Sequence, residues 1–179
     1  MVKEAKSKKG TEMIHGLLPS DFDATLMVIN DAAQAYKGVI PDDRWKEPYM
    51  PAEELAAEIE TGVRFFGWIE DDHLLGVAGI QAIKDTTLIR HTYVLTKCQR
   101  KGIGSRLLKH LLGLAKTAEI LVGTWAETTW AIRFYEKHDF KLVSPEEKDR
   151  LLQTYWTIPD RQIETSVVLK LTEGAAAWD

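Results

Sequence analysis

The sequence predicts a single mixed α/β (α+β) domain, and three observations carry that prediction. A length of 179 residues suits one domain, and 45% hydrophobic against 28% charged residues is the balance of a globular chain. The hydrophobic period changes along the chain: helical in the first third, alternating in the middle, then switching between the two. No internal repeat or linker breaks that order. The domain is therefore expected over residues 12–172, between a leader at 1–11 and a tail at 173–179.

Ile14 to Leu18 makes a first short strand, stopped by Pro19. Asp21 is an N-cap candidate for a helix from Phe22 to Tyr36, whose apolar positions Leu26, Ile29, Ala33 and Tyr36 recur at helical spacing before Gly38 ends it. Val39 to Pro51 is irregular, with three prolines. Ala52 to Ile59 forms a second helix, with Pro51 before it and Gly62 after it. Val63–Glu70 and His73–Ile83 form a hairpin around Asp71-Asp72, and Thr86–Leu95 is a third strand. Gly76 and Gly79 within the hairpin point to a bulge or a close backbone approach. From Gly102 the period is helical again, with Ile103, Leu107, Leu111 and Leu114 on one stripe. Ile120–Trp125 is a strand, and Thr128 or Thr129 caps the next helix. Lys141–Val143 is a short strand, and Pro145 opens a helix over Glu146–Tyr155. The alternation of Ile163, Thr165, Val167, Leu169 and Leu171 is a last strand with one buried face.

Acidic residues exceed basic ones, 27 to 23, for a net charge of -4, which is the wrong sign for a nucleic-acid partner. No apolar run approaches the roughly 18 residues of a membrane span, and none follows the basic leader as a secretory signal would. The single Cys98 cannot form an internal disulfide, which fits a reducing compartment, so a cytoplasmic protein without membrane or metal is expected.

The most informative stretch runs from Tyr93 to Arg106. A strand enters a turn, and the turn opens the most amphipathic helix of the chain. Gly102 and Gly104 leave the N–H groups of the first helical turn approachable, and those donors with the helix dipole make an anion site. Arg100, Lys101 and Arg106 add positive charge.

This Gln99-x-x-Gly102-x-Gly104 segment between strand and helix resembles the pyrophosphate loop of the GNAT superfamily of acyl-CoA-dependent N-acyltransferases. The resemblance continues downstream, where Ala131-Ile132-x-x-Tyr135 leading to Phe140 is similar to the family's next helix. Thr128 stands where the family often has Asn, and Asp139 where it usually has Gly; Asp tolerates the left-handed backbone such a position needs. The order of elements matches from Ile14 to Leu171. The resemblance implies a GNAT-like fold, a central, mostly antiparallel mixed sheet flanked by helices.

For function it implies acetyl transfer from acetyl-CoA to an amine, most simply of a small molecule. Gln99, Arg100, Lys101, Gly102, Ile103, Gly104 and Ser105 would hold the pyrophosphate, with Thr128 the counterpart of the Asn at the cofactor arm. The N–H of Val94 or Leu95 would polarise the thioester carbonyl, and Tyr135 would protonate the departing thiolate. The residues themselves leave the general base open. By resemblance the base positions fall on Leu88 and Arg90, which are not bases, and strand alternation turns the adjacent His91 to the opposite face unless a bulge intervenes. Glu47 and Glu127 are the carboxylate candidates, and an ordered water is the other source. Trp45, Tyr49 and Trp125 are expected to wall an aromatic acceptor pocket with Tyr155 and Trp156 at its rim. Arg90, on the acceptor side with Leu88, Thr92 and Val94, would bind a carboxylate of the acceptor, or else form an ion pair with a glutamate such as Glu164. A protein acetyltransferase and a non-catalytic acyl-CoA sensor are the alternatives, and a homodimer is compatible with either enzyme.

Overall fold

A computed structural model describes residues 12–172; the expected leader and tail lie outside the described residues. The strands are β1 (Glu12–Gly16), β2 (Arg64–Glu70), β3 (His73–Ile83), β4 (Thr86–Val94), β5 (Glu119–Trp125), β6 (Lys141–Leu142) and β7 (Ser166–Thr172). The helices are α1 (Phe22–Ala33), α2 (Ala52–Glu60), α3 (Ile103–Leu114), α4 (Thr129–Glu136), α5 (Pro145–Tyr155) and α6 (Asp160–Glu164). The strands form a seven-stranded sheet in the order β1-β2-β3-β4-β5-β7-β6. Neighbours are antiparallel except β4 and β5, which are parallel because α3 carries the chain back across the sheet between them. This is the mixed, mostly antiparallel sheet that the sequence predicts. Among the described residues no helix is long and apolar enough to cross a membrane.

Helices cover both faces. α3 packs through Ile103, Leu107, Leu108 and Leu111, all buried, and each such side chain is worth roughly 1.5–3 kcal/mol of burial. Close approach to α3 explains Gly76: a Cβ there would stand 2.9 Å from Ile103 Cγ2 and 3.3 Å from the Tyr93 carbonyl oxygen. On the opposite face α1 lies over β3 and β4, α2 reaches β4 through Glu58, and Leu88, Leu121 and Val168 pack against Leu151 and Leu152 of α5.

Several boundaries differ from the sequence reading. β1 ends at Gly16, two residues before Leu18, because the Leu18 N–H donates to Asp21 Oδ2 (2.8 Å) in a tight turn started by Pro19. That bond also occupies the Asp21 carboxylate, which makes no cap bond to α1. α1 stops at Ala33, and Gln34–Tyr36 tighten into a 3-10 turn that carries Tyr36 inward. Ile163 belongs to α6, not to the last strand, which begins at Ser166. Pro159 starts a helical turn, and Ile163 packs with Leu151 and Leu152 rather than along the sheet.

Two departures from ideal strand pairing shape the site. First, β4 and β5 pair only from Thr86–Glu119 to Ile89–Val122, so Arg90–Val94 and Gly123–Trp125 part and leave a gap in the sheet. Second, Gly79 pairs with Arg90 but Val77 pairs with Tyr93, so His91 and Thr92 together oppose Ala78. This bulge has His91 in the left-handed region (φ 52°), a conformation costing roughly 1 kcal/mol or more for a non-glycine residue. The extra residue reverses the alternation. Tyr93 shares the face of Leu88 and Arg90, whereas Thr92 and Val94, expected on that face, turn toward α3 and α4.

Candidate active site

The loop after β4 and the first turn of α3 form one end of the gap. Gln99 Nε2 donates to the Val94 carbonyl (3.2 Å) and ties the loop to the strand. Arg100 (φ 61°) and Gly102 (φ 84°) both adopt left-handed backbone, and a Cβ on Gly102 would meet nothing within 4 Å. The loop therefore curls around open space at the N-terminus of α3, where the first N–H groups have no intrahelical acceptor. Arg100 and Lys101 are exposed at its rim. The Arg106 guanidinium instead lies 4.9 Å from the Trp68 ring centroid, away from the loop. Ile103 is buried in the core, so only its backbone faces the loop, and the Ser105 hydroxyl meets His138 Nε2 at 3.0 Å. An uncovered helix N-terminus beside bare glycine backbone fits a pyrophosphate group.

Of the two proposed carbonyl-polarising amides, the pairing separates them. The Leu95 N–H donates to the Leu75 carbonyl (2.9 Å), so Leu95 is not available as a donor to a thioester. Antiparallel pairs alternate between bonded and unbonded registers, and the next pair, Val94 with Gly76, is unbonded. The Val94 N–H therefore points into the gap. Tyr135 of α4 is buried beside Thr92, its ring edge-on to Phe134 and Phe140. Burial pushes its phenol up to about 12, against a smaller opposing effect of the Thr92 hydroxyl. The group stays protonated near neutral pH and can give a proton but not accept one.

On the other face, a cavity of about 130 Å³ is lined by Tyr36, Tyr49, Arg90, His91, Tyr93 and Trp125, with Trp156 among the residues closing it. Trp125 Nε1 donates to the Tyr49 hydroxyl (2.9 Å), and the Tyr36 ring meets those of Tyr49 and Tyr93 edge-on. Burial raises all three tyrosines, so each remains a neutral phenol.

The Arg90 guanidinium is engaged within the protein. Nη2 donates to Glu58 Oε1 (2.8 Å) and Nη1 to Gln81 Oε1 (2.9 Å), while the Gln81 amide donates to the Thr61 carbonyl. Its ion-pair partner is Glu58 of α2, not Glu164, which pairs with exposed Arg161. The second Glu58 oxygen, Oε2, lies 3.3 Å from His91 Nε2. Burial pushes the Glu58 carboxyl up, but His91 and Arg90 outweigh it and hold the group below its usual range.

Other expected site residues are elsewhere. Glu47 is exposed and pairs with Lys37 (3.2 Å), and Glu127 is an exposed loop residue; neither lines the cavity. The long stretch between α1 and α2 keeps Glu47 at the surface. Thr128 is fully buried, its hydroxyl donating to the Trp125 carbonyl (2.7 Å). Trp45 stacks behind Tyr49 rather than lining the cavity, and the Tyr155 hydroxyl is held by Asp85. Sequence reasoning missed Tyr36, Tyr93 and Glu58. For Glu58 the available signal was its position one turn after the buried Leu55, on the inward side of α2.

A bulged strand, a gap beside it, a glycine loop at a helix N-terminus and a buried phenol define the architecture of an acyl-CoA-dependent acyltransferase. Residues 27–140 match the acetyltransferase (GNAT) family, and the chain belongs to that family. Solved structures agree in fold. The PaiA N-acetyltransferase from Thermoplasma acidophilum, in complex with coenzyme A, superposes with a TM-score of 0.69 at 19% identity, over 90% of this chain and 99% of that one. A ribosomal-protein alanine N-acetyltransferase from Escherichia coli gives 0.64 at 18%, over 90% and 94%. A GNAT family acetyltransferase from Brucella melitensis, in complex with acetyl-CoA, gives 0.60 at 16%, over 92% and 89%. No curated protein matches the chain.

Proposed function

We propose that this protein is an N-acetyltransferase that moves the acetyl group of acetyl-CoA to the amine of a small molecule by direct attack on the thioester. The observation that carries the reading is the gap between β4 and β5: the loop at Gly102 lies at one end, Tyr135 on one side and the aromatic cavity on the other. Two structures of like fold hold coenzyme A or acetyl-CoA, which supports the same co-substrate here.

In this reading the N–H groups at the start of α3 bind the pyrophosphate, with Arg100 and Lys101 beside it. The Val94 N–H binds the carbonyl oxygen as negative charge builds on it. The amine nitrogen forms its bond to the carbonyl carbon and sheds a proton to solvent as the amide forms, the carbon–sulfur bond breaks, and the sulfur takes the Tyr135 proton, which solvent then replaces. The cavity is lined by phenols, indoles and few charges, and its volume of about 130 Å³ suits the head of a small amine better than a peptide chain.

The test is thiol release from acetyl-CoA against a panel of small primary amines and of peptides with free N-terminal or lysine amines. Turnover of small amines is expected. Turnover confined to peptides would replace the small-molecule reading with protein acetylation. Tight acetyl-CoA binding with no transfer to either set would leave a sensor.

A further inference from the structure

The bulge in β4 brings together a pair that the acetyl-transfer reading has not used. His91 is carried to the cavity side of the sheet, where its ring stacks on Phe65 at 5.7 Å and the residue lines the cavity. Its Nε2 and the Glu58 Oε2 are both buried and stand 3.3 Å apart, within ion-pair distance, and among the described residues neither has a hydrogen-bond partner. The other Glu58 oxygen is fixed by Arg90, whose own position is set by Gln81. The result is a chain of contacts from β3 through β4 and α2 back to the imidazole.

We propose that His91 is the general base of this site, and that Glu58 is the positioning residue that fixes its tautomer. This rests on the acetyl-transfer reading above. A carboxylate bonded to a guanidinium has no proton to give, so the imidazole nitrogen facing it must carry one. Neutral His91 is therefore the Nε2–H tautomer, and Nδ1 keeps the free lone pair. Nδ1 takes the proton that the acceptor ammonium must lose. The amine nitrogen then attacks the thioester carbon and the carbon–sulfur bond breaks. The thiolate leaves with the Tyr135 proton, and the second proton that the nitrogen sheds as the amide forms passes to solvent. Solvent returns a proton to Tyr135 and takes one from His91. The two proton-handling groups lie on opposite faces of the sheet, with the gap between them. Without the extra residue in β4, alternation would put the imidazole against α3 and α4 with Tyr135, and the acceptor side would have no base.

Among the described residues, the ionisable groups placed around the imidazole are Glu58 from α2, Arg90 and Tyr93 from β4, and Tyr36 and Tyr49 from the segments flanking the cavity; β2 contributes the Phe65 ring. The phenols stay neutral, so Glu58 and Arg90 are the charges His91 meets.

Two measurements test the pair. Nitrogen-15 spectra of histidine-labelled protein, assigned by comparison with His91→Asn, should show His91 as the Nε2–H tautomer, and Glu58→Gln should mix or invert it. With any primary amine that the panel turns over, His91→Asn should lower kcat/KM by roughly 10²–10⁴. Asn tolerates left-handed backbone, so the bulge should survive, and calorimetry should show unchanged acetyl-CoA binding. An Nδ1–H tautomer in the wild-type protein, or an unchanged rate in His91→Asn, would overturn the proposal. If no amine is turned over, the transfer reading fails on its own, and the tautomer decides the Glu58–His91 pair independently.

Discussion

Replacing Arg90 with Met removes the guanidinium that neutralises Glu58 and leaves its carboxylate within the protein. The two side chains are 16% and 18% exposed. Breaking a buried pair from one side costs about 3–5 kcal/mol, because the remaining charge loses its partner but stays desolvated. Some water reaches both groups, so the expected loss is at the low end, about 3 kcal/mol. Urea unfolding with a slope near 2 kcal/mol/M would register this as a midpoint lowered by about 1.5 M. Arg90→Lys keeps the charge but not the fork that reaches Glu58 and Gln81 together. It should lose about 1–1.5 kcal/mol, the net worth of one hydrogen bond. The pH dependence has a definite sign. The folded-state pKa of Glu58 is depressed, so its contribution is present above the ordinary carboxylate range and is lost as pH falls through the folded value. The acid-side loss below about pH 4 should be smaller in Arg90→Met than in the wild type. An unchanged urea midpoint in Arg90→Met, with KM alone raised for amines bearing a carboxylate, would refute the structural role and restore Arg90 as a reader of the acceptor.

Tyr135→Phe should lower kcat by roughly 10²–10⁴ when chemistry limits the rate, with the fold intact, since only a hydroxyl leaves a buried ring; stopped-flow single turnovers check this. Gly102→Asp has room for the side chain but places a carboxylate at the anion site on left-handed backbone, and calorimetry should show acetyl-CoA binding weakened by at least tenfold. Gly76→Ala should destabilise by about 1–3 kcal/mol in thermal unfolding, because its Cβ would press on Ile103 and on the Tyr93 backbone; an unchanged melting temperature would mean that α3 yields freely.

Much of the fold was legible because its signals are local. The change of hydrophobic period marks where helices give way to strands, and Ile103, Leu107 and Leu111 mark the inward face of α3. Gln99, Gly102 and Gly104 lie within six residues, so their geometry at a strand–helix turn follows from neighbouring backbone alone. Ile163 shows where such reading fails. Its spacing to Val167 fits a strand, but Pro159 and the packing on Leu151 place it in a helix. Glu47 and Glu127 carry the right chemistry for a base, yet chain path rather than residue type decides that both stay at the surface.

The amino-acid order alone determined the family, the glycine loop and the helix after it, since each rests on contacts between near neighbours. Tertiary structure decided the acceptor side. Glu58 and Arg90 are 32 residues apart and meet only when α2 folds over β4. The bulge at His91 and Thr92 exists because β3 and β4 slip by one residue, and the gap exists because β4 and β5 stop pairing at Ile89 and Val122. A one-residue slip moves every following side chain to the other face of a sheet, so no periodicity in β4 itself could say which of Arg90, His91, Thr92 and Tyr93 faces the cavity.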